Sequence, residues 1–265
     1  MILTITSVQN PRVKAAVRLR DRGARDALQR TLIEGPRELA RAVAAGVELA
    51  EVFLCRECCR PEVETLVEQL VQTRVSLYHV SPRVYEKLAY GDRREGILAV
   101  ARIPQRKLSD LRLPYSPLVA VLEGTEKPGN AGAVLRTADA AGIDAVILAG
   151  GVTDLYNPNA IRASQGALFC VPVCAAGSAE TRDWLRERQC AVFAARVDGA
   201  MPYTAVSYRG AAAIVLGSEA AGLSDVWRGE DVTSIVLPMR GAVDSLNVST
   251  TAGVLFYEAL RQRTT

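Results

Sequence analysis

Three short stretches hold the residues whose types and spacing could do chemistry: Asn130 and Arg136 in "NAGAVLR", Gly217 and Glu219 in "LGSEAAG", and Ser245 with Asn247 in "DSLN". Amides and a hydroxyl can meet a polar ligand, and a guanidinium can fork onto a phosphate. Each residue also has a structural alternative. Val248, Ala252, Leu255, Phe256 and Ala259 follow one helix face, so Ser245 or Asn247 could simply cap that helix. Capping needs only one of them, and residues two apart in an extended loop project to the same side, where both could meet a ligand. Asn130 suits the N-cap of a helix buried through Val134, Ala138 and Ala141. Arg136 then lies about 200° round from Val134 and points away from the core, either into solvent or into a site.

Other chemistries fit poorly. Gly124 and Gly129 have the outer spacing of a phosphate loop, but Asn130 and Ala131 stand where Lys and Ser/Thr would grip phosphate and metal. No G-x-G-x-x-G follows the strand. Cys55, Cys58 and Cys59 in "CRECC" and the distant Cys170 and Cys174 lack the paired spacing of a zinc site, so packed, reduced thiols and no metal are expected. His79 is the only histidine, in what reads as a strand end, which argues against a Ser-His-Asp triad.

The chain's 265 residues suffice for two domains, and 49% hydrophobic with 5% aromatic content suits a well-buried α/β protein. The start "MILTITSVQNPRVK" lacks signal-peptide order, and no apolar run approaches the roughly 20 residues of a membrane helix, so a cytoplasmic protein with no membrane partner is expected. Net charge is only +3, yet Arg12, Lys14, Arg18, Arg20, Arg22, Arg25 and Arg30 crowd one segment answered only by Asp21 and Asp26. Such a cluster is either an electrostatic footprint for RNA phosphates or the solvated face of a helix.

These groups need a scaffold. Pro104, Pro114 and Pro117 interrupt every period in "IPQRKLSDLRLPYSP", which reads as a linker over residues 104–117 between residues 1–103 and 118–265. Before it, "TLIEGPRELARAVAAG" reads as strand then helix, "LAEVFL" as strand, "PEVETLVEQLVQTR" as helix and "EGILAVARI" as strand: a small αβ layer. After it, strands "LVAVLEG", "DAVILAG", "FCVPV", "AVFAARV", "AAAIVLG" and "SIVLP" alternate with helices "NAGAVLRTADAAG", "NPNAIRASQG" and "AETRDWLRERQ" before a final helix. Almost wholly apolar strands between helices imply a mostly parallel sheet covered on both faces. Ligands bind such sheets beyond the carboxyl ends of the strands, where "EGTEKPGN", "LGSEAAG" and "LPMRGAVDSLN" lie.

In this order and spacing, "NAGAVLR", "IVLGSEAAGLS" and "LPMRGAVDSLNVSTTAGVLFYEALRQR" resemble the motifs of the SpoU/TrmH family of RNA ribose 2′-O-methyltransferases, of the SPOUT class. The opening of the chain resembles the ribosomal-protein-like substrate-binding domain of the rRNA-directed members. The resemblance implies S-adenosylmethionine as cofactor, a C-terminal trefoil knot and a homodimer acting on RNA, ribosomal RNA first, with tRNA or a non-catalytic RNA-binding role as alternatives. It implies Arg136, Asn130, Glu219, Ser245 and Asn247 as catalytic residues, and Gly217, Leu237, Met239, Leu246 and Asn247 at the cofactor. Because an arginine keeps its proton far above neutrality, Arg136 is expected to position an RNA phosphate and stabilise the emerging alkoxide rather than act as base.

Overall fold

The structure, a computed structural model, describes residues 3–59, 61, 63–73, 75–90, 95–151 and 153–265. It divides into two compact units: Met1–Pro104 with Tyr156–Cys170, and Gln105–Leu155 with Val171–Thr265.

The first unit opens with β1 (Leu3–Ile5), α1 (Pro11–Arg18) and α2 (Arg22–Leu28). Asn10 and Asp21 cap the two helices, their side chains accepting from the amides of Arg12 and Ala24. Then follow β2 (Arg30–Glu34), α3 (Pro36–Ala44), β3 (Leu49–Leu54), α4 (Val63–Gln72), β4 (Ser76–Val80), α5 (Pro82–Leu88) and β5 (Ile97–Arg102). Glu62 and Arg74, at the ends of the helix expected over α4, lie outside the described residues. The sheet order among the described residues is β1-β4-β3-β5-β2, with β5 antiparallel to both its neighbours and the other pairs parallel. His79 sits within β4.

The second unit begins with β6 (Leu118–Glu123), α6 (Pro128–Ala141) and β7 (Ala145–Ala149). The chain then contributes α7 (Pro158–Ala163) and α8 (Ala167–Cys170) to the first unit. There the Thr31 hydroxyl donates to the Tyr156 carbonyl at 2.6 Å, and Arg162 meets Glu34 at 3.4 Å. The strand expected over "FCVPV" starts late, because Phe169 and Cys170 belong to α8 and pairing begins at Val173. The physical reason is the buried Ser164 hydroxyl, which accepts from the amides of Gly166 and Leu168 and turns this short apolar run helical.

The second unit continues with β8 (Val173–Ala176), α9 (Ser178–Glu187), β9 (Ala191–Ala195), β10 (Met201–Pro202), β11 (Ala212–Leu216), β12 (Val232–Val236) and α10 (Val248–Thr264). Its strand order among the described residues is β10-β12-β9-β11-β6-β7-β8, every pair parallel, as expected from continuous apolar strands. β11 is inserted between β6 and β9, although both precede it in the chain. Within the stretch read as a linker, Leu108 and Leu111 are buried against the core around Val119, Ile147 and Trp227. α10 buries Val248, Ala252, Leu255, Phe256 and Ala259, the face read from the sequence, and packs along α6. Its far end is fastened by Arg263, which donates to the carbonyls of Tyr208 and Ser116 at 2.7 and 2.9 Å.

Candidate active site

Parallel strands end together, so the loops leaving β9, β11 and β12 meet at one edge of the second unit and line a cleft of about 1110 Å³. Gly217, directly after β11, must be glycine: a Cβ there would stand 2.3 Å from the Gly222 carbonyl carbon. That closeness is held by Ser218 and Gly222, whose amides and carbonyls bond each other at 3.1 and 3.0 Å. The third loop is different. Among the described residues, residues 237–246 make no backbone–backbone hydrogen bond, so their amides and carbonyls are open to water or a ligand. Leu237, Met239, Ser245 and Leu246 all line the cleft, together with the exposed apolar side chains of Val197 and Val243.

Beside the cleft, side chains distant in sequence form one polar network. Glu219 Oε1 accepts from Asn130 Nδ2 at 2.9 Å and from Asn247 Nδ2, while Lys127 Nζ lies 3.1 Å from Glu219 Oε2. Asn247 Nδ2 also reaches Asn130 Oδ1 at 3.4 Å. The opposite end of the same amide caps α10, its Oδ1 accepting from the Ser249 amide at 2.9 Å and the Ser249 hydroxyl at 2.6 Å. Asn247 therefore caps α10 and joins the polar network at once. A small pocket of about 90 Å³ adjoins this network, bounded by Thr125, Lys127, Asn130, Ser218, Glu219 and Val248.

Asn130 is not the helix cap expected from the sequence. Pro128, whose fixed φ suits the first helical position, starts α6 earlier with Lys127 as cap, which leaves Asn130 in the first turn and frees its side chain for Glu219. Arg136 stands apart from the network, exposed on α6 and making no hydrogen bond or ion pair among the described residues. Ser245 is likewise exposed and outside the network.

Two supporting residues escaped the sequence reading. Lys127 pairs across loops with Glu219, a contact with no local signal. Glu123 ends β6 almost fully buried and accepts from the Ser224 amide at 2.7 Å, the Ser224 hydroxyl at 2.9 Å and the Ser178 hydroxyl. Burial alone would raise its pKa, but these hydrogen bonds outweigh it and hold the carboxyl below its ordinary value. Glu123 thus anchors the loop after Gly217 in its ionised form. Its one signal was a carboxylate closing an otherwise apolar strand.

The SpoU rRNA Methylase family profile matches residues 117–257, more than half the chain, and an MRM3-like substrate binding domain profile matches residues 10–99. The chain belongs to the SpoU rRNA methylase family. It is 42% identical to a solved RNA 2′-O ribose methyltransferase, covering 99% of this chain and 100% of that one with a TM-score of 0.85. An AdoMet-bound rRNA methyltransferase from Sinorhizobium meliloti is 26% identical, with 98% of each chain covered and a TM-score of 0.89. The 23S rRNA (guanosine(2553)-2′-O)-methyltransferase RlmP of Bacillus subtilis (strain 168) is 27% identical over 96% of this chain and 97% of its own.

In this SpoU-family chain the arginine-rich segment divides by environment. Arg12, Lys14, Arg18 and Arg22 are exposed, although Arg12 is paired with Glu51 and lies over the Tyr78 ring, and Arg22 faces Asp26 at 3.5 Å. Arg25 is only 1% exposed and donates to the carbonyls of Leu19 and Arg20 at 2.7 and 2.8 Å, closing the turn between α1 and α2. Arg20 donates to the carbonyls of Lys87 and Ala89. Arg25, buried and holding backbone carbonyls, is not presented to a phosphate as the sequence led one to expect, whereas Arg20 is only partly covered and uses one terminal nitrogen for its two carbonyls.

Proposed function

We propose that this protein methylates a ribose 2′-hydroxyl of ribosomal RNA, using S-adenosylmethionine. The observation that carries this reading is the convergence of the family's motif loops on a cleft that leaves the backbone of residues 237–246 unpaired. The residues suit that cofactor. Open backbone donors and acceptors can read an adenine edge and a ribose, apolar Leu237, Met239 and Leu246 can cover the ring, and Gly217 lets backbone approach closely.

S-adenosylmethionine supplies, when bound, a methyl group made electrophilic by its sulfonium. The chain's own task is to hold the ribose hydroxyl in line with that methyl group and to manage one proton. Asn247, with Glu219 and Asn130, fixes the loops on either side of the cleft, and Ser245 faces the ligand from the third loop. Arg136, exposed and without a partner among the described residues, takes an RNA phosphate and stabilises the oxyanion forming at the 2′ position. The guanidinium keeps its own proton, and the phosphate that it holds relays the hydroxyl proton onward to solvent.

In this reading residues 1–103 form the RNA substrate-binding domain, residues 104–117 the linker and residues 118–265 the methyltransferase domain, with Arg12, Lys14, Arg18 and Arg22 toward RNA. The insertion of β11 between earlier strands supports a knotted path for the C-terminal segment. The protein works in the cytoplasm as a homodimer. Purified protein, methyl-labelled S-adenosylmethionine and bacterial rRNA or tRNA test the proposal, with modified nucleosides identified by mass spectrometry. A 2′-O-methylated nucleoside from rRNA is expected. Transfer to tRNA alone would overturn the substrate, and cofactor and RNA binding without transfer would favour a non-catalytic role.

A further inference from the structure

The "CRECC" stretch has no part in the proposed reaction, and its geometry is specific. Cys55 ends the buried strand edge after β3, and a short 3₁₀ turn over Arg56–Cys58 follows. The Cys58 amide donates to the Cys55 carbonyl at 3.0 Å, closing a turn in which the first and fourth Cα atoms are less than about 7 Å apart. That span includes the separations a disulfide accepts. The side chains already face each other, the Cys55 thiol donating to Cys58 Sγ at 3.1 Å, about 1 Å beyond an S–S bond of ~2.05 Å. Cys55 is buried, whereas Cys58 is partly exposed and open to a reagent. Cys59 is turned elsewhere, its Sγ against Gly96, where it would collide with any added Cβ at 2.5 Å. A metal site is a poor alternative: among the described residues no group of three His, Cys, Asp or Glu side chains is placed to hold an ion.

We infer that Cys55 and Cys58 form a reversible dithiol–disulfide site in the first unit, oxidised by a small disulfide such as glutathione disulfide. The Cys58 thiolate attacks one sulfur of that disulfide, forming a mixed disulfide and expelling one glutathione thiolate. Cys55, after losing its proton to solvent, attacks Cys58 Sγ and expels the second glutathione. Two protein thiols are thereby oxidised to one disulfide, and one glutathione disulfide is reduced to two thiols. Burial, with Cys58 alongside, pushes the Cys55 thiol up to about 12, so ring closure is the slow step and quickens as pH rises.

Trypsin separates the pair, because Arg56 lies between Cys55 and Cys58. The full-length protein, equilibrated with glutathione disulfide, alkylated and digested, should yield the peptide ending "FLCR" linked to the one beginning "ECCRPEVE", because trypsin passes over the Arg60–Pro61 bond. Two of the six cysteines should become unreactive, and dithiothreitol should restore both. The linked pair should vanish in Cys58→Ser and persist in Cys59→Ser. A pair that survives Cys58→Ser, a loss of two hydrogens within the peptide beginning "ECCRPEVE" alone, or a stable glutathione adduct on Cys58 of the wild type with no linked pair would overturn the assignment.

Discussion

Asn247 joins helix capping to the polar network, and one substitution can separate the two. Asn247→Asp keeps an oxygen for the Ser249 amide, now 2.9 Å away, and places negative charge at the start of α10, where the helix dipole favours it. It also replaces the Nδ2 donor facing Glu219 Oε1 with a second carboxylate. Thermal stability should therefore fall less than in a variant that also loses the cap, while the loops around the cleft lose their tie. One hydrogen bond to a charged group contributes about 1.5 to 3 kcal/mol, so cofactor affinity or turnover should fall by roughly ten- to a hundredfold. Asn247→Ala removes the cap as well, worth about 1 kcal/mol, and should lower the melting temperature by about 2 to 4 °C at this chain length. Calorimetric titration with S-adenosylmethionine, a thermal melt and initial rates of methyl transfer measure these separately. Lowering the pH should partly rescue the Asp variant, because one of the facing carboxyls then takes a proton and donates to the other. An Asn247→Asp protein with wild-type affinity and wild-type turnover would refute the argument that the Asn247–Glu219 contact organises the site.

Arg136→Ala should leave S-adenosylmethionine affinity nearly intact while kcat falls at least about a hundredfold, and Arg136→Lys should rescue it poorly; a normal rate in single-turnover assays would exclude Arg136 from the reacting centre. Replacing the exposed Lys14, Arg18 and Arg22 with alanine should flatten the salt dependence of RNA binding, by roughly 0.7 to 0.9 in log–log slope for each phosphate no longer neutralised, whereas Arg25→Ala should instead lower the stability of the first unit. Burial raises the Glu34 carboxyl to about 7 from 4.5, so the folded state binds more protons than the unfolded one between those values. Stability of the first unit should therefore decrease as pH rises across that window, and urea melts of Glu34→Gln should lose most of this slope.

Legibility followed the range of the interaction. Every strand of the second unit except β8, which starts late, and the short β10 was evident because parallel strands buried on both faces are apolar throughout. The buried stripe of α10 was equally plain because helical periodicity is local. α1, α2 and α5 were harder to see, since in these short elements charged residues interrupt the pattern. The start of α6 shifted because Pro128 at the first helical position outweighed the capping preference of Asn130.

The sequence by itself determined the alternating α/β order and the loops that carry the site, because periodicity is written in neighbouring residues. Only the tertiary structure decided that Glu219 gathers Asn130, Lys127 and Asn247, and that Arg25 is turned inward. It alone assigned residues 156–170 to the first unit. The physical reason is common to all three: partner choice and burial depend on groups brought together across long stretches of chain, and a residue's type does not say which group it will meet.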